Sequence, residues 1–480
     1  MAQARLRYLT DDDKGALHEQ TLRVLAEAGI AFNLPEAIDL LEAAGARVDR
    51  GRLVAYLPGE LVRAALALTP HEVLLAARDP ARDVWVGGDH PLSVCSDGTA
   101  TYLLDDQTGE RLPGSAERLR QVMRLLDALE QCDYVWPSLS ARDLDPLTAN
   151  LEIEYLSLAE CAKHLQDEVR SPEFVAPLVE MLEAVAGASL HERPIFSTIN
   201  CTVAPLQHDA DMTKATLGLA RAGVPIIVMP MPLMATTAPA SVMGNVVVTM
   251  AEILSTVVLL QLAAPGCALI AAPEPGVADL RSGGYLCGPP EADLASLASI
   301  EMCRFYGLPS QIGGLGGDAH YPDLQEGAEG MASALLGALV GADTMVGFGT
   351  LDGAETFSLA DAVLDDDLTA AVRRYLGETA VDGAAALIDD IVTVGPGGHF
   401  LGRRSTREAA RAGVLWQPQV LRRGHSRGSD PRGLVAEAAE RAAEIVTNHR
   451  ATPLADDVVR YVEDVIARHA RLAGSPSPRH

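Results

Sequence analysis

The stretch GLPSQIGGLGGDAHYPDLQEGAEGMASALLGALVGADTMVGFG (Gly307–Gly349) contains two short apolar segments, one around Ile312 and one around Met345. Both have the length and composition of buried β-strands. Between them lie a glycine-rich polar loop and an alanine- and leucine-rich stretch with the composition of a helix. A strand, a helix and a second strand in this order are typical of a parallel sheet.

The same alternation extends towards the N-terminus. Further strand candidates are YVWPSLS around Tyr134, PIFSTIN around Ile195, VPIIVMP around Ile226 and ALIAA from Ala268. Stretches with helical composition separate them, so we predict an α/β protein whose parallel strands close into a (β/α)8 TIM barrel. A doubly wound open sheet is the alternative. The chain has no GxGxxG motif with a downstream acidic residue, which would favour dinucleotide binding.

The two ends of the chain differ from this pattern. Leu17 to Ala44 has the apolar spacing of two amphipathic helices, and short alternating runs such as VLLAA (Val73–Ala77) follow it. Gly433 to Ala473 has the pattern of two helices with charged faces. We therefore predict an accessory region of helices and short strands at 1–95, the barrel at 96–430, and C-terminal helices and a tail at 431–480.

Composition excludes several classes of protein. The 480 residues carry a net charge of −27, which argues against nucleic acid as a partner. The longest apolar stretch, Val246 to Ala264, is interrupted by Glu252 and Gln261, so we expect no membrane span. The first residues, MAQARLRYLTDDDK, lack the apolar core of a signal peptide. Seven scattered cysteines are typical of reduced thiols, and we expect a cytoplasmic protein.

Most of the predicted strands end in short polar or small-residue segments. These are NCT after Ile199, MPMPLMATT after Val228, PEPG after Ala272, GGLGGDAHYPD after Ile312 and GTLDG after Phe348. In a parallel barrel all the carboxyl ends of the strands meet at one face. The sequence therefore predicts a functional site built from these loops.

The glycine-rich loop supplies the candidate catalytic residues, which are His320, Asp318 and Gln325. His320 could orient a ligand, although a loop histidine also commonly binds backbone carbonyls. Asp323 is the better candidate for the N-cap of the following helix, which leaves Asp318 free for function.

The candidate substrate-binding residues are side chains and glycines near the same strand ends. They include a carboxylate, a guanidinium that could bind a ligand carboxylate, a soft methionine wall, aromatic rings that could surround a cation, and loop amides. Each residue type also has an ordinary role in cores or surface salt bridges. The set is Tyr102, Met231, Glu274, Arg281, Gly316, Gly317, Tyr321, Phe348, Phe357 and His399. No HExxH or comparable motif predicts a metal site.

Four segments resemble the trimethylamine methyltransferase family of corrinoid-dependent enzymes. They are the quoted run up to TLDGAETFS, NLPEAIDLLEAAGARVD (Asn33–Asp49), APASVMGNVVVTMAEILSTVVLLQLAAPGCALI (Ala238–Ile270) and VGPGGHFL (Val394–Leu401). They span nearly the whole chain in the family's order. The resemblance implies a (β/α)8 barrel with N-terminal helices. It also implies methyl transfer from an amine to the cobalt of a corrinoid carried by a partner protein, with no tightly bound cofactor.

The same resemblance bears on the substrate. Members that act on trimethylamine carry pyrrolysine in the segment that matches GDAHYPD, at the position of His320. The pyrrolysine imine is thought to form an adduct with an amine lone pair, which a quaternary ammonium lacks. Its replacement by histidine therefore implies a quaternary amine such as a betaine, as in the non-pyrrolysine branch of the family.

Other functions stay open at this stage. The chain could be a non-catalytic betaine-binding paralogue, a family member with a non-corrinoid methyl acceptor, or a different barrel enzyme such as a metal-dependent hydrolase. The absence of metal motifs argues against the hydrolase. We also expect a homo-oligomer.

Overall fold

The computed structural model describes residues 4–377, 382–423 and 433–473, and it has a mixed α/β fold with parallel sheets. The strands in this part of the chain are β1 (Ile30–Ala31), β2 (Arg47–Asp49), β3 (Val54–Tyr56), β4 (Glu72–Leu75), β5 (Val84–Gly87), β6 (Ser93–Ser96), β7 (Tyr102–Leu104), β8 (Arg111–Pro113), β9 (Leu165–Glu168), β10 (Phe196–Cys201), β11 (Ile226–Met229), β12 (Leu233–Met234), β13 (Leu269–Ala271), β14 (Gly276–Ala278), β15 (Tyr285–Leu286), β16 (Gln311–Gly313), β17 (Thr344–Phe348), β18 (Thr350–Leu351) and β19 (Thr356–Phe357).

Helices separate most of these strands. They are α1 (Asp11–Glu27), α2 (Pro35–Ala43), α3 (Gly59–Leu68), α4 (Ala116–Ala128), α5 (Ala149–Glu160), α6 (Val175–Ala186), α7 (Ala210–Arg221), α8 (Val242–Ala263), α9 (Pro290–Phe305), α10 (Leu324–Val340), α11 (Leu359–Leu376), α12 (Ile388–Val394), α13 (Arg404–Arg411), α14 (Leu434–Asn448) and α15 (Asp456–Ala473). Short 3-10 helices cover Pro80–Arg82, Pro172–Phe174 and Asp382–Leu387.

Local sequence explains several helix ends. Thr10 and Asp13 form a reciprocal capping box at the start of α1. Ser241 caps α8 and Ser358 caps α11 by accepting a backbone N–H from the first turn. Gly29, just after α1, has a φ of +74°, a left-handed conformation in which glycine commonly ends a helix.

One series of parallel pairings positions the functional site. β9 pairs with β10, β10 with β11, and β11 with β13, all in parallel. Single parallel bridges continue the series, from Ala271 to Ser310, from Val135 to Leu165 and from Cys95 to Tyr134. β16 pairs with β17, and β17 pairs in turn with β6. Seven strands and the Tyr134–Val135 segment are thus connected by parallel contacts, with helices between them along the chain.

Two groups of buried apolar residues support this arrangement. The larger one lies among the helices and the outer faces of the strands, with Leu25, Met250 and Phe348 among its members. The smaller one joins residues of the paired strands, such as Ile199, Ile227 and Ile270, to the antiparallel β4–β5 hairpin. The hairpin therefore packs against the inner side of the strand series.

The longest apolar helix belongs to the core. α8 has the length and hydropathy of a membrane span, but 83% of its most apolar window is buried inside the fold. Its burial identifies it as a core helix. Glu252 is tolerated there because its carboxylate accepts hydrogen bonds from the Thr202 hydroxyl and the Leu206 N–H.

Five of the six strands predicted from apolar runs are confirmed as β10, β11, β13, β16 and β17. The sixth, around Tyr134, has only isolated bridges. The helices predicted within 17–44 and 433–473 are also confirmed, as α1, α2, α14 and α15. The division at 95/96 falls inside β6, and the division at 430/431 lies outside the described residues. The predicted domain division stays a prediction.

Candidate functional site

A cavity of about 410 Å³ lies at the carboxyl ends of the paired parallel segments. Each of the eight segments contributes a residue at its carboxyl end or just beyond it. In chain order these residues are Asp97, Trp136, Glu168, Cys201, Met229, Glu274, Gly313 and Gly347. This volume suits a small-molecule ligand.

The cavity wall is acidic. Four lining residues carry carboxyl groups, namely Asp97, Glu168, Glu274 and Asp293. Among the described lining residues Arg170 has the only cationic side chain, and it forms an ion pair with Glu168. The Arg170 side chain is 77% exposed, so its charge lies where solvent screens it. The electrostatic environment therefore favours a cationic ligand.

Glu274 is the carboxyl group held in the least polar surroundings. Its Oε1 is buried without a hydrogen-bond partner among the described residues. Burial, and then the charge of Asp97, raise its pKa well above the ordinary range of a glutamate, while the Gly313 N–H acts in the opposite direction. A Cβ on Gly313 would lie 2.6 Å from Glu274 Oε2, so only glycine allows this approach.

Two other acidic residues in the cavity wall also have raised pKa values. Burial raises the pKa of Asp97, although its carboxylate accepts hydrogen bonds from the Gly98 N–H at 2.7 Å and the Thr350 hydroxyl at 2.9 Å. Burial, and then the charge of Glu329, raise the pKa of Asp293 to about 6. A bound cation would favour the ionised form of each group.

Aromatic rings and sulfur atoms provide the rest of the wall. Trp136 and Tyr285 line the cavity together with Met229, Met231 and two cysteines, Cys201 and Cys287. Burial raises the pKa of the Tyr285 hydroxyl well above its ordinary value, so this group stays protonated at neutral pH. Aromatic faces and polarizable sulfur are suitable neighbours for a quaternary ammonium.

Tyr285 reaches the cavity on a small hairpin. β14 and β15 are antiparallel, and β14 also pairs with β12. The Tyr285 ring packs over Gly276, where a Cβ would overlap it. Asp318 fixes the end of the hairpin because its carboxylate accepts the N–H groups of Cys287 and Gly288, both at 3.0 Å.

The structure places the predicted site residues in three different environments. Met231, Glu274, Gly316 and Gly317 line the cavity. Asp318 lies just behind it and binds the hairpin backbone. Asp323 caps α10, as predicted, by accepting the Gln325 N–H. The Gln325 side chain donates to Glu329 and does not line the cavity.

His320 lies in the same loop but is not one of the residues that line the cavity. Its side chain is 68% exposed, and Nδ1 is 2.5 Å from Asp352 Oδ1. Asp352 also pairs with Arg111. Tyr321 is half exposed in this loop. A direct ligand contact by His320 or Tyr321 stays a prediction.

The remaining predicted residues lie farther from the lining. Tyr102 is in β7, beside Pro113 of β8. Arg281 lies in the exposed turn of the β14–β15 hairpin, where its N–H donates to Asp279. Phe348 and Phe357 are fully buried in the larger core group, and His399 is exposed on the surface. Ligand contacts by these five stay predictions.

Several lining residues are absent from the sequence-based set. They are Asp97, Trp136, Glu168, Arg170, Cys201, Met229, Tyr285, Cys287, Asp293 and Thr350. A rule that selects the first residues after each predicted strand finds Cys201 and Met229, whereas Trp136 lies inside the predicted strand YVWPSLS. Asp97 follows β6 and Glu168 ends β9, and the apolar pattern predicts neither of these strands.

The fold and cavity define an α/β protein with a cavity of small-molecule size at the carboxyl ends of parallel strands. The model of the trimethylamine methyltransferase (MTTB) family matches residues 2–474. The chain therefore belongs to the trimethylamine methyltransferase family, as the sequence predicts.

Relatives with assigned names cover nearly the whole chain. "Trimethylamine methyltransferase MttB" of Methanosarcina barkeri (strain Fusaro) is 31% identical over 471 residues, which is 96% of this chain and 94% of that protein. "Glycine betaine methyltransferase" of Desulfitobacterium hafniense (strain Y51) is 28% identical over 404 residues, 83% of this chain and 84% of that protein.

A solved structure supports the fold. The Methanosarcina barkeri monomethylamine methyltransferase MtmB matches with a TM-score of 0.55 and 11% identity, over 98% of this chain and 89% of that one. Its hydroxylamine complex gives a TM-score of 0.54.

Proposed function

We propose that this protein removes a methyl group from a quaternary amine bound in the cavity and transfers it to the cobalt of a corrinoid on a partner protein. The observation that carries the proposal is the cavity wall, in which four carboxyl groups and two aromatic rings surround a space with one solvent-exposed cation. Such a wall suits a bulky, permanently charged ammonium group. Membership of a methyltransferase family supplies the reaction class.

We also propose that the eight parallel segments close into a (β/α)8 barrel. The pairing of β17 with both β16 and β6 supports this, because it joins the two ends of the series. The convergence of all eight carboxyl ends on one cavity supports it as well. A barrel would leave the cavity open only at the face where the acceptor approaches.

The proposed donor is a betaine or a similar zwitterion. Its trimethylammonium group would lie against Trp136, Tyr285 and Glu274. Its distant carboxylate would pair with Arg170, which is better placed for this than Arg281 because it lines the cavity. A donor without a carboxylate would leave Arg170 paired only with Glu168.

The chemistry needs no proton. The acceptor's electron pair forms the new bond to a methyl carbon while the C–N electron pair stays on nitrogen, so a neutral tertiary amine leaves. Because the substrate charge disappears, a carboxylate in full contact would stabilise the bound donor more than the transition state. Glu274, whose pKa is raised, and the aromatic faces are weaker partners that limit this loss. Orientation of the C–N bond towards the cavity mouth is the main contribution of the protein.

The corrinoid would be a second substrate, carried by its own protein and supplying a strongly nucleophilic metal to the methyl carbon. This chain's residues would hold the donor, exclude water from the methyl group and leave the mouth free. No group of this chain has to ligate the cobalt during the step.

The test is incubation of the purified protein with a panel of betaines and other quaternary amines and with free cob(I)alamin. We expect the absorbance change to methylcob(III)alamin with at least one donor, and a slower change in Glu274→Gln at a donor concentration that does not saturate the site. Glu173→Gln, at an exposed position on the 3-10 helix before α6, is the matched control and should retain activity.

The same panel separates the alternatives. Donor binding without methyl transfer to any acceptor would identify a non-catalytic betaine-binding paralogue. Demethylation that proceeds only with a non-corrinoid acceptor would identify the other variant. An absence of binding by every quaternary amine would contradict the proposal.

A further inference from the structure

Trp136 is held by a pair of acids that lie behind the cavity wall. Its indole Nε1–H donates to Asp167 Oδ1 at 2.8 Å. Asp167 does not line the cavity, although Glu168, the next residue in β9, does. The indole is 8% exposed, and a Cβ on Gly98 would lie 3.2 Å from its Cη2. The ring is therefore fixed from two sides, by Asp167 at the nitrogen and by Gly98 at the six-membered ring.

Glu154 is the second acid. It lies in α5, is 3% exposed, and its carboxyl group forms a hydrogen bond with that of Asp167. Two carboxylates cannot form such a bond, so one proton is shared. Burial, and then the charge of Asp167, raise the pKa of Glu154 well above its ordinary value. Burial also raises the pKa of Asp167, although its hydrogen bonds with Glu154 and Trp136 act in the opposite direction. Glu154 therefore carries the proton and Asp167 carries the charge.

Asp167 thus receives one hydrogen bond from the indole and one from Glu154. The Glu154 Oε2 is buried without a hydrogen-bond partner among the described residues. Burying a carboxyl pair is costly unless it holds something in place. What it holds here is the aromatic wall of the cavity.

We propose that Asp167 is a positioning residue that fixes Trp136 as the cation-binding wall, and that Glu154 in turn orients Asp167. This inference rests on the proposed function and specifies how the site recognises its charged donor. An indole N–H that donates to a carboxylate has a more electron-rich ring, which strengthens its attraction for a cation. The charge of Asp167 acts from behind the ring, so it attracts the ammonium group without contacting it.

The arrangement also predicts where the pair is sensitive to pH. The charged groups nearest to Asp167 are Glu168 and Arg170, which pair with each other. Arg120 and Arg124 of α4 pair with Glu160 at the end of α5 and not with Glu154. Loss of the Glu154 proton at alkaline pH would place two negative charges in contact, and the position of the indole would change.

Two substitutions separate position from charge. Asp167→Asn keeps an oxygen that can accept from Trp136 but removes the negative charge. Glu154→Gln keeps a donor for Asp167 and removes the titratable proton, so it is the matched control. Thermal melting of both variants would verify that they fold.

The binding test compares choline with 3,3-dimethyl-1-butanol, its uncharged isostere. We expect the wild-type protein to prefer choline, Asp167→Asn to reduce this preference by about fivefold to tenfold, and Glu154→Gln to retain it near neutral pH. A preference within twofold of wild type in Asp167→Asn would overturn the inference. If the wild-type protein shows no preference at all, the proposed cation site itself fails as well.

A measurement without ligand tests the positioning role separately. The chain has three tryptophans, so a protein labelled with 5-fluorotryptophan gives a 19F spectrum that Trp136→Phe would assign. We expect Asp167→Asn to shift the Trp136 signal only. We also expect this signal to titrate at alkaline pH in the wild type but not in Glu154→Gln. An unshifted signal in Asp167→Asn would contradict the positioning role even if choline binds.

Discussion

The two glycine-rich segments of the chain lie in opposite surroundings. Gly313–Gly317 runs from the end of β16 towards α10, and two of its glycines face carboxyl groups. A Cβ would lie 2.6 Å from Glu274 Oε2 at Gly313 and 2.7 Å from Glu329 Oε2 at Gly317. Gly395–Gly398 follows α12 on the surface, and a Cβ on Gly395 or Gly397 would meet nothing within 4 Å. The first segment needs glycine for space. In the second, Gly395 and Gly397 need it for a positive φ, and only Gly398, where a Cβ would lie 2.5 Å from the Val394 carbonyl oxygen, needs it for space.

This difference shows what makes a glycine-rich run a functional segment. A histidine follows each run and both runs resemble the family, so composition does not separate them. Position does, because only the first follows a strand of the parallel series and lines the cavity. The predictions below test whether this distinction holds.

The largest effect is expected at the contact between β17 and the first segment. In Gly347→Ala the new Cβ would overlap the carbonyl oxygen of Gly314, and Gly347 has a φ of +145°. We expect a loss of unfolding free energy of about 4 kcal/mol or more. Gly397→Ala, with a φ of +81° and free space, should cost about 1–2 kcal/mol. Urea denaturation measures both, and equal losses would remove the distinction.

The second effect concerns ligand binding by Glu274, which contacts the first segment. A cation favours its carboxylate, whose pKa is raised in the empty site, so binding releases a proton and the affinity for tetramethylammonium should rise with pH. Glu274→Gln should bind roughly tenfold more weakly at pH 8 and lose this pH dependence. Asp390→Asn, which changes an acid paired with Arg403 near the second segment, is the control. Calorimetry at several pH values would contradict the account if both variants behave alike.

The same residue affects stability with a defined sign. The pKa of Glu274 in the folded state is raised above its value in the unfolded chain. The contribution of Glu274 to the free energy of unfolding is therefore most favourable at low pH, where the carboxyl group is protonated in both states. It falls as pH rises above the ordinary carboxyl range. Glu274→Gln removes this penalty, so the variant should be more stable than wild type at pH 8. Lower stability at that pH would show that the carboxylate has a partner in the folded state.

A smaller effect is expected from the two loop histidines. His320 follows the first segment and is bonded to Asp352, whereas His399 follows the second and is exposed. We expect His320→Ala to lower turnover by about tenfold or less, below the effect of a general acid or base. His399→Ala should change nothing. Steady-state kinetics with the correct donor test this, and unchanged turnover in His320→Ala would remove His320 from the site.

The smallest effect is expected at Asp293 in the cavity wall. Its pKa of about 6 exceeds that of an unfolded aspartate, so its contribution to stability falls as pH rises from about 4 through 6. Asp293→Asn should therefore melt slightly higher than wild type at pH 8, by roughly 1–2 °C. Asp389→Asn, near the second segment, is the control. A lower melting temperature for Asp293→Asn would mean that the charge is stabilised in the fold.

Sequence patterns predicted the strands whose residues are mainly apolar. β11 and β13 consist of buried aliphatic and methionine residues and are easily recognised. β9 reads LQDE and was not predicted, because its inner positions carry Gln166 and acids that serve the site. β6 reads SVCS, four buried but small residues, and gave no apolar signal.

The site was less predictable than the fold. Glu274, Gly316 and Gly317 follow predicted strands and were found by that position. Trp136 was not, because an aromatic residue in an apolar run looks like core until its hydrogen bond to Asp167 is known. Tyr285 reaches the cavity only through a hairpin that Asp318 fixes from another loop. Contacts between segments that are distant in the chain fix the positions of Trp136 and Tyr285, and a single sequence does not show such contacts.

The most direct measurement is a crystal structure of the protein with a trimethylammonium compound such as glycine betaine. We predict that the ligand nitrogen lies within about 6 Å of the centre of the Trp136 ring, in the cavity that Glu274 and Tyr285 also line. A ligand found instead in the cavity of about 500 Å³ beside Arg304 and Arg373, near the amino-terminal ends of β6 and β17, would contradict the account.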